Sequence, residues 1–122
     1  MAQSYEDLLV WQRAIEMSVA IYEFTEAFPQ KEMYGLTSQL RRASVSVASN
    51  IAEGRGRSTQ GEFKHFLGMA QGSNYEIQTQ LVLSRHLKFG GEASLQKSEK
   101  LSVEVGKMLS ALISSIAAKA RS

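Results

Sequence analysis

Residues 36–66, LTSQLRRASVSVASNIAEGRGRSTQGEFKHF, decide the fold. Leu36, Leu40, Ala43, Val47 and Ile51 recur at intervals of three and four, the period of one helix face, not the alternation of a strand. This predicts a helix from about Tyr34 to Glu53, with Gly54 as its C-terminal stop. After the turn EGRGRST, Thr59 followed at the third position by Glu62 forms the S/T-x-x-E pattern that opens a new helix. Phe63, Phe66, Leu67, Ala70, Asn74, Ile77 and Leu81 then carry a helical stripe toward Phe89.

The flanks read the same way. Before the only proline, Pro29, a helix is expected from about Tyr5 to Ala27, opened by Ser4 with Asp7 three residues on. After Gly90 and Gly91, a last helix is expected from about Ala93 to Ala120, with Leu101, Val105, Met108, Leu109, Leu112 and Ile116 on one face. Four long helices joined by short connections predict one all-α domain over residues 1–122, an antiparallel up-down-up-down four-helix bundle.

The first helix carries more apolar surface than one bundle core needs. Leu8, Trp11, Ile15, Val19 and Tyr22 form the stripe assigned to the core. Val10, Ala14, Met17, Ile21, Phe24 and Phe28 form a second one on roughly the opposite side. In the second helix Ala48 and Ala52 lie off the Leu40/Val47 face, so a neighbour approaches closely there too. Gly68 and Gly72 lie four apart on the far side of the third helix, where each costs about 1 kcal/mol relative to alanine. The expectation is therefore a homo-oligomer whose interface draws on Val10, Met17, Ile21, Phe24, Ala48, Ala52, Gly68 and Gly72.

With 43% apolar and 21% charged residues the composition is that of a soluble globular domain. The absence of cysteine excludes disulfides, thiolate metal sites and cysteine nucleophiles, and fits a reducing, cytoplasmic setting. No secretory signal and no membrane-length apolar run are read from the sequence. The net charge of +2 is unevenly spread: residues 1–35 hold six acids and two bases, residues 36–122 six acids and twelve bases. The basic excess of the second part suits a polyanion.

Residues for catalysis are sparse. Glu62 and His65 match one Glu-x-x-His pair, but a di-metal bundle needs two, and Leu83 stands three residues before His86. No G-x-S-x-G elbow and no phosphate-binding P-loop occur. The expectation is a non-enzyme with no metal, no cofactor and no small-molecule substrate.

The densest charge is Arg41 and Arg42, then Arg55 and Arg57 in the glycine-containing turn, then Lys64. Arginine suits bidentate phosphate contacts, and a helix N-terminus favours anions. Two readings stay open: contact with nucleic acid, or pairing within and between subunits, as between Arg42 and Glu76. No aromatic residue for base stacking lies between these arginines.

The phrase QLRRASVSVASNIAEGRGRST (residues 39–59), with DLLVWQRA (7–14), FPQKEMYGLTSQL (28–40) and EFKHFLGMAQGSNYEIQTQL (62–81), resembles the bacterial four-helix-bundle proteins encoded in intervening sequences of 23S ribosomal RNA genes. Matching positions include Gln39, Arg41, Arg42, Asn50, Glu53, Gly54, Gly56, Arg57, Phe63, Leu67, Gly72 and Glu76. Where that family often carries Ile-Pro, this chain has Val47-Ala48. The resemblance implies a ring-shaped homopentamer that binds ribosomal RNA or acts in its processing. The family is also similar to the accessory protein of diversity-generating retroelements, a basic pentamer that partners a reverse transcriptase and nucleic acid. The resulting expectation is an RNA-binding oligomer; the competing one is a protein-interaction scaffold without nucleic acid.

Overall fold

The computed structural model describes residues 4–121. Among them are four α-helices, α1 (Leu9–Thr25), α2 (Leu36–Arg55), α3 (Gln60–Leu87) and α4 (Glu92–Arg121), two single 3-10 turns at Tyr5–Asp7 and Gln30–Glu32, and no strand.

The helix ends follow local chemistry. Ser4 Oγ accepts the Glu6 N–H at 3.2 Å, but this closes a 3-10 turn, and α1 proper begins two residues after Asp7. Glu32 Oε1 takes the Leu36 N–H at 3.1 Å and so caps the start of α2. At α3, Thr59 Oγ1 accepts from the Glu62 N–H at 3.1 Å and donates to Glu62 Oε1 at 3.0 Å. The Glu62 carboxylate thus meets the threonine hydroxyl, a variant of the reciprocal box. Lys88 takes the left-handed conformation (φ 59°), and the Phe89 N–H returns to the Ser84 carbonyl at 3.0 Å, ending α3.

Gly54 is not the stop expected of it. It lies inside α2, buried under Phe63 and Phe66, and the helix ends at Gly56, whose N–H bonds to Ala52 O and Glu53 O. Gly90 serves both backbone and packing. Its φ is +75°, and a Cβ there would sit 2.8 Å from Phe24 Cδ1.

Inter-helix bonds fix which residues face one another. Arg13 of α1 reaches Glu104 of α4 at 2.7 Å, and Lys97 stands 3.9 Å from Glu23. Ser18 meets Ser44, Ser46 meets Ser73, and Arg85 bonds Glu92 and Glu99. The core joins Met17, Ile21 and Phe24 of α1 to Leu40, Val47 and Ile51 of α2, Leu67 and Ile77 of α3, and Val105 and Leu109 of α4. Phe24, Phe28 and Phe89 close one end of it by edge-on and tilted ring contacts.

The two stripes of α1 are exchanged relative to expectation from Ile15 onward, while Leu8 and Trp11 pack half-buried against the core as expected. Val10, Met17, Ile21 and Phe24, expected at a subunit interface, are buried in the core. Ile15, Val19 and Tyr22, expected in the core, are exposed. The neighbours of each stripe explain it. Ser18 and Thr25 border the buried side and are satisfied there by Ser44 and by the Ile21 carbonyl. Glu16 and Glu23 border the other and stay in water, where desolvation costs nothing. Ala48 likewise packs into the chain's own core, which removes it from the expected interface.

The α3/α4 seam is polar. Asn74 Nδ2 donates to the Ser102 carbonyl at 2.9 Å and Ser102 Oγ donates to Asn74 Oδ1 at 2.8 Å, both residues fully buried. α4 contains an 18-residue window as apolar as a membrane span, which the sequence reading did not credit; Val105, Leu109 and Ile116 turn inward, yet only 22% of the window is buried.

Candidate nucleic-acid interface

The five cationic residues singled out in the sequence do not form one patch. Arg41 and Arg42 lie near the start of α2 and Arg55 at its end, roughly 20 Å along the axis at ~1.5 Å per residue.

Arg41 is committed to structure. Its Nε donates to Thr25 Oγ1 at 2.9 Å, its Nη2 pairs with Glu26 at 3.3 Å, and its guanidinium carbon lies 4.6 Å from the centre of the Tyr22 ring. Arg55 is half-buried, with its guanidinium carbon 5.8 Å from the Phe63 ring centre and a buried Nε that has no partner among the described residues. Arg57 lies 4.7 Å over Phe66 and pairs with Glu53 at 3.0 Å. The aromatic residues near these arginines are thus taken up by the arginines themselves. Lys64, one turn into α3, is exposed beside Gly61, His65 and Gly68, and no ion pair holds it among the described residues.

Arg42 differs from Arg41. It is exposed, and no ion pair joins it to the Glu76 that faces it. The two line an open groove of about 410 Å³ between α2 and α3. Ser46 Oγ and Ser73 Oγ, 2.9 Å apart, bridge the helices on one side of this pair; Gln80 Nε2 donates to Gln39 Oε1 at 3.4 Å on the other. Gln80 Oε1 is buried and unpartnered.

Tyr34, in the turn before α2, stands at this groove with 95% of its surface exposed. Sequence reasoning missed it for a definable reason. It lies outside the arginine segment, and only the α2/α3 pairing places it with Glu76 and Gln80. The signal that was available is local: Glu32 and Gly35 fix the turn, while Leu36 and Thr37 enter the core and leave Tyr34 pointing outward.

Two further arginines are tied down. The Arg85 guanidinium is held above its ordinary pKa by hydrogen bonds to Glu99 and Glu92, and Arg13 likewise by Glu104 and Glu16. A raised arginine pKa contributes stability below the ordinary value and loses it only as pH climbs through the folded one, so both pairs are constant across neutral pH.

Glu62 is engaged with Thr59, and His65 packs edge-on to Phe66 with ring centroids 5.6 Å apart. Among the described residues no three His, Cys, Asp or Glu side chains gather as a metal site. Of the expected interface residues, Gly68 and Gly72 are exposed with nothing in the chain within 4 Å of an added Cβ, and Ala52 is half-buried.

No curated protein sequence matches this chain. A solved structure from Bacteroides thetaiotaomicron VPI-5482, described as a protein of unknown function from the S23 ribosomal protein family, superposes with a TM-score of 0.76. It shares 21% identity, over 86% of this chain and 98% of that one, and so bears on the fold. Residues 6–111, which include the RRASVSVASNIAEGRGRST phrase, match the family described as 23S rRNA-intervening sequence protein, and the chain belongs to that family.

Proposed function

We propose that this protein is a non-catalytic, cytoplasmic RNA-binding subunit, an antiparallel up-down-up-down bundle that works as a homo-oligomer, with the pentamer as the expected assembly. The facing of Arg13 with Glu104 and Glu23 with Lys97, and of Ser46 with Ser73 and Gln39 with Gln80, supports that helix order. Exposed apolar residues on α1 and α3, among them Val19, Tyr75 and Val82, support assembly.

The observation that carries the RNA reading is the freedom of Arg42 and Lys64, two exposed cations without ion pairs among the described residues, in the basic part of a chain whose family is named for an intervening sequence of 23S rRNA. Repetition in an oligomer makes such weak phosphate contacts act together. Electrophoretic mobility shifts of a structured RNA, measured across salt concentrations, test it. Affinity falls steeply with salt, and Arg42→Ala or Lys64→Ala each flattens the log–log slope by about one, the share of a single phosphate neutralised by a single cation. No complex at low salt sinks the reading.

The ion pairs of Arg41 and Arg57 favour a second reading, a protein-interaction scaffold or accessory subunit, for example to a reverse transcriptase, in which the arginines serve structure. Affinity capture from cells with and without nuclease separates the two.

A further inference from the structure

We infer that the α2/α3 groove binds one unpaired guanine of an RNA loop, with the base stacked on Tyr34, its Watson–Crick edge on Glu76 and its phosphate on Arg42. This rests on the RNA-binding reading above and names the feature of the RNA that is recognised.

The groove is shaped by what is bonded and what is not. The Ser46–Ser73 contact and the Gln39–Gln80 contact hold α2 and α3 together on either side. Between these rungs Arg42 and Glu76 line the same space as opposite charges, yet no ion pair closes it. Both remain available to a ligand that offers an anion to one and hydrogen-bond donors to the other. The volume, about 410 Å³, falls within the ~300–1,000 Å³ of small-molecule sites.

Tyr34 narrows the ligand class. A ring 95% exposed, with no aromatic or cationic partner among the described residues, leaves its face to a flat group from outside. Unpaired RNA bases are recognised by such stacking together with hydrogen bonds to their exposed edges. Arginine is the side chain suited to the accompanying phosphate.

Glu76 selects the base. Guanine presents two adjacent donors, N1–H and the N2 amino group, which match the two oxygens of a carboxylate. Adenine and cytosine place a ring-nitrogen lone pair beside their amino group and repel it; uracil sets one donor between two carbonyl oxygens.

The test uses the full-length protein and fluorescence anisotropy on hairpin RNAs of one stem, with a uridine loop whose central nucleotide is guanosine, inosine or adenosine. Guanosine is expected to bind best, about tenfold better than adenosine, with inosine between because it lacks the N2 amino group. Glu76→Gln is expected to remove most of this preference while still binding RNA. Tyr34→Ala weakens the guanosine hairpin roughly tenfold, and Tyr34→Phe, which keeps the ring, restores it. All of these side chains are at the surface, and circular dichroism confirms that the variants fold. Binding that is indifferent to the loop base, or a preference untouched by Glu76→Gln, overturns this inference and leaves RNA binding intact. No binding to any hairpin at low salt overturns both.

Discussion

A Cβ on Gly54 would lie 2.6 Å from the Cβ of Phe66, so α2 and α3 approach there as closely as a missing side chain permits. The obstacle is the base of a side chain, which cannot swing aside as a flexible tip does. Gly54→Ala should therefore force the helices apart and cost about 1–3 kcal/mol, the usual range for overpacking. Gly72→Ala provides the contrast. An added Cβ there meets nothing in the chain, and the helix gains up to about 1 kcal/mol. Urea denaturation of the two variants should give midpoint shifts of opposite sign; a Gly54→Ala protein as stable as the parent contradicts the close approach.

That contrast also bears on what was legible in the sequence. Helix number, the Thr59 cap and the breaks at Pro29 and Gly90 follow from local chemistry and appear where expected. Gly54 was misread because glycine both ends helices and permits close packing, and sequence offers the same letter for each. The faces of α1 were exchanged because both stripes are apolar at helical spacing; the discriminating sign was the acids Glu16 and Glu23 beside Val19, set against Ser18 and Thr25 on the other side. Of the groove only the facing of Arg42 and Glu76 was legible. Tyr34 and Gln80 lie far apart in the chain, and only the register of α2 on α3 unites them.

The buried pair Asn74 and Ser102 locks α3 to α4 by two reciprocal hydrogen bonds of 2.9 and 2.8 Å. Asn74→Ala leaves the buried Ser102 hydroxyl without its partner, while the Ser102 carbonyl keeps only its bond within the helix. The expected loss is about 1–3 kcal/mol of stability, the desolvation penalty of an orphaned polar group. Asn74→Asp is expected to be worse, because an ionised carboxylate cannot donate to the Ser102 carbonyl and is itself buried. Chemical denaturation checks both. An Asn74→Ala midpoint equal to that of the parent would mean that the seam is not held by this pair.

Neighbouring arginines should separate by experiment. Arg41 bonds Thr25 and Glu26 and covers Tyr22, whereas Arg42 touches no partner among the described residues. Arg41→Ala is expected to lower stability by about 1 kcal/mol, because a hydrogen bond and a cation–π interaction both go with the guanidinium. Arg42→Ala is expected to stay within about 0.5 kcal/mol of the parent, as an ordinary surface change does, while weakening RNA binding. Thermal melts alongside mobility shifts read both effects. Equal behaviour of the two variants in the melts would remove the division between a structural and a free arginine.

The exchanged stripes of α1 move the expected subunit contact to the outer face, where Ile15 and Val19 meet Leu101 across a largely apolar groove of about 400 Å³ rimmed by Glu16, Glu104, Lys97 and Lys100. Val19 is 54% exposed, so a charge there costs the isolated bundle little. In an assembly that covers this face the same charge must lose its water, and the penalty falls on association alone. Val19→Glu is therefore expected to shift the mass in light scattering toward the 13.5 kDa of one chain while leaving the helical signal in circular dichroism unchanged. Met17→Ala, on the buried stripe, should do the reverse, lowering the melting temperature through a core cavity that costs about 2–5 kcal/mol without selectively dissolving the assembly. A parent protein that already runs at 13.5 kDa would refute the assembly itself; a Val19→Glu oligomer of unchanged mass would place its contacts on another face, with the exposed side of α3 around Gly72 and Tyr75 next in line.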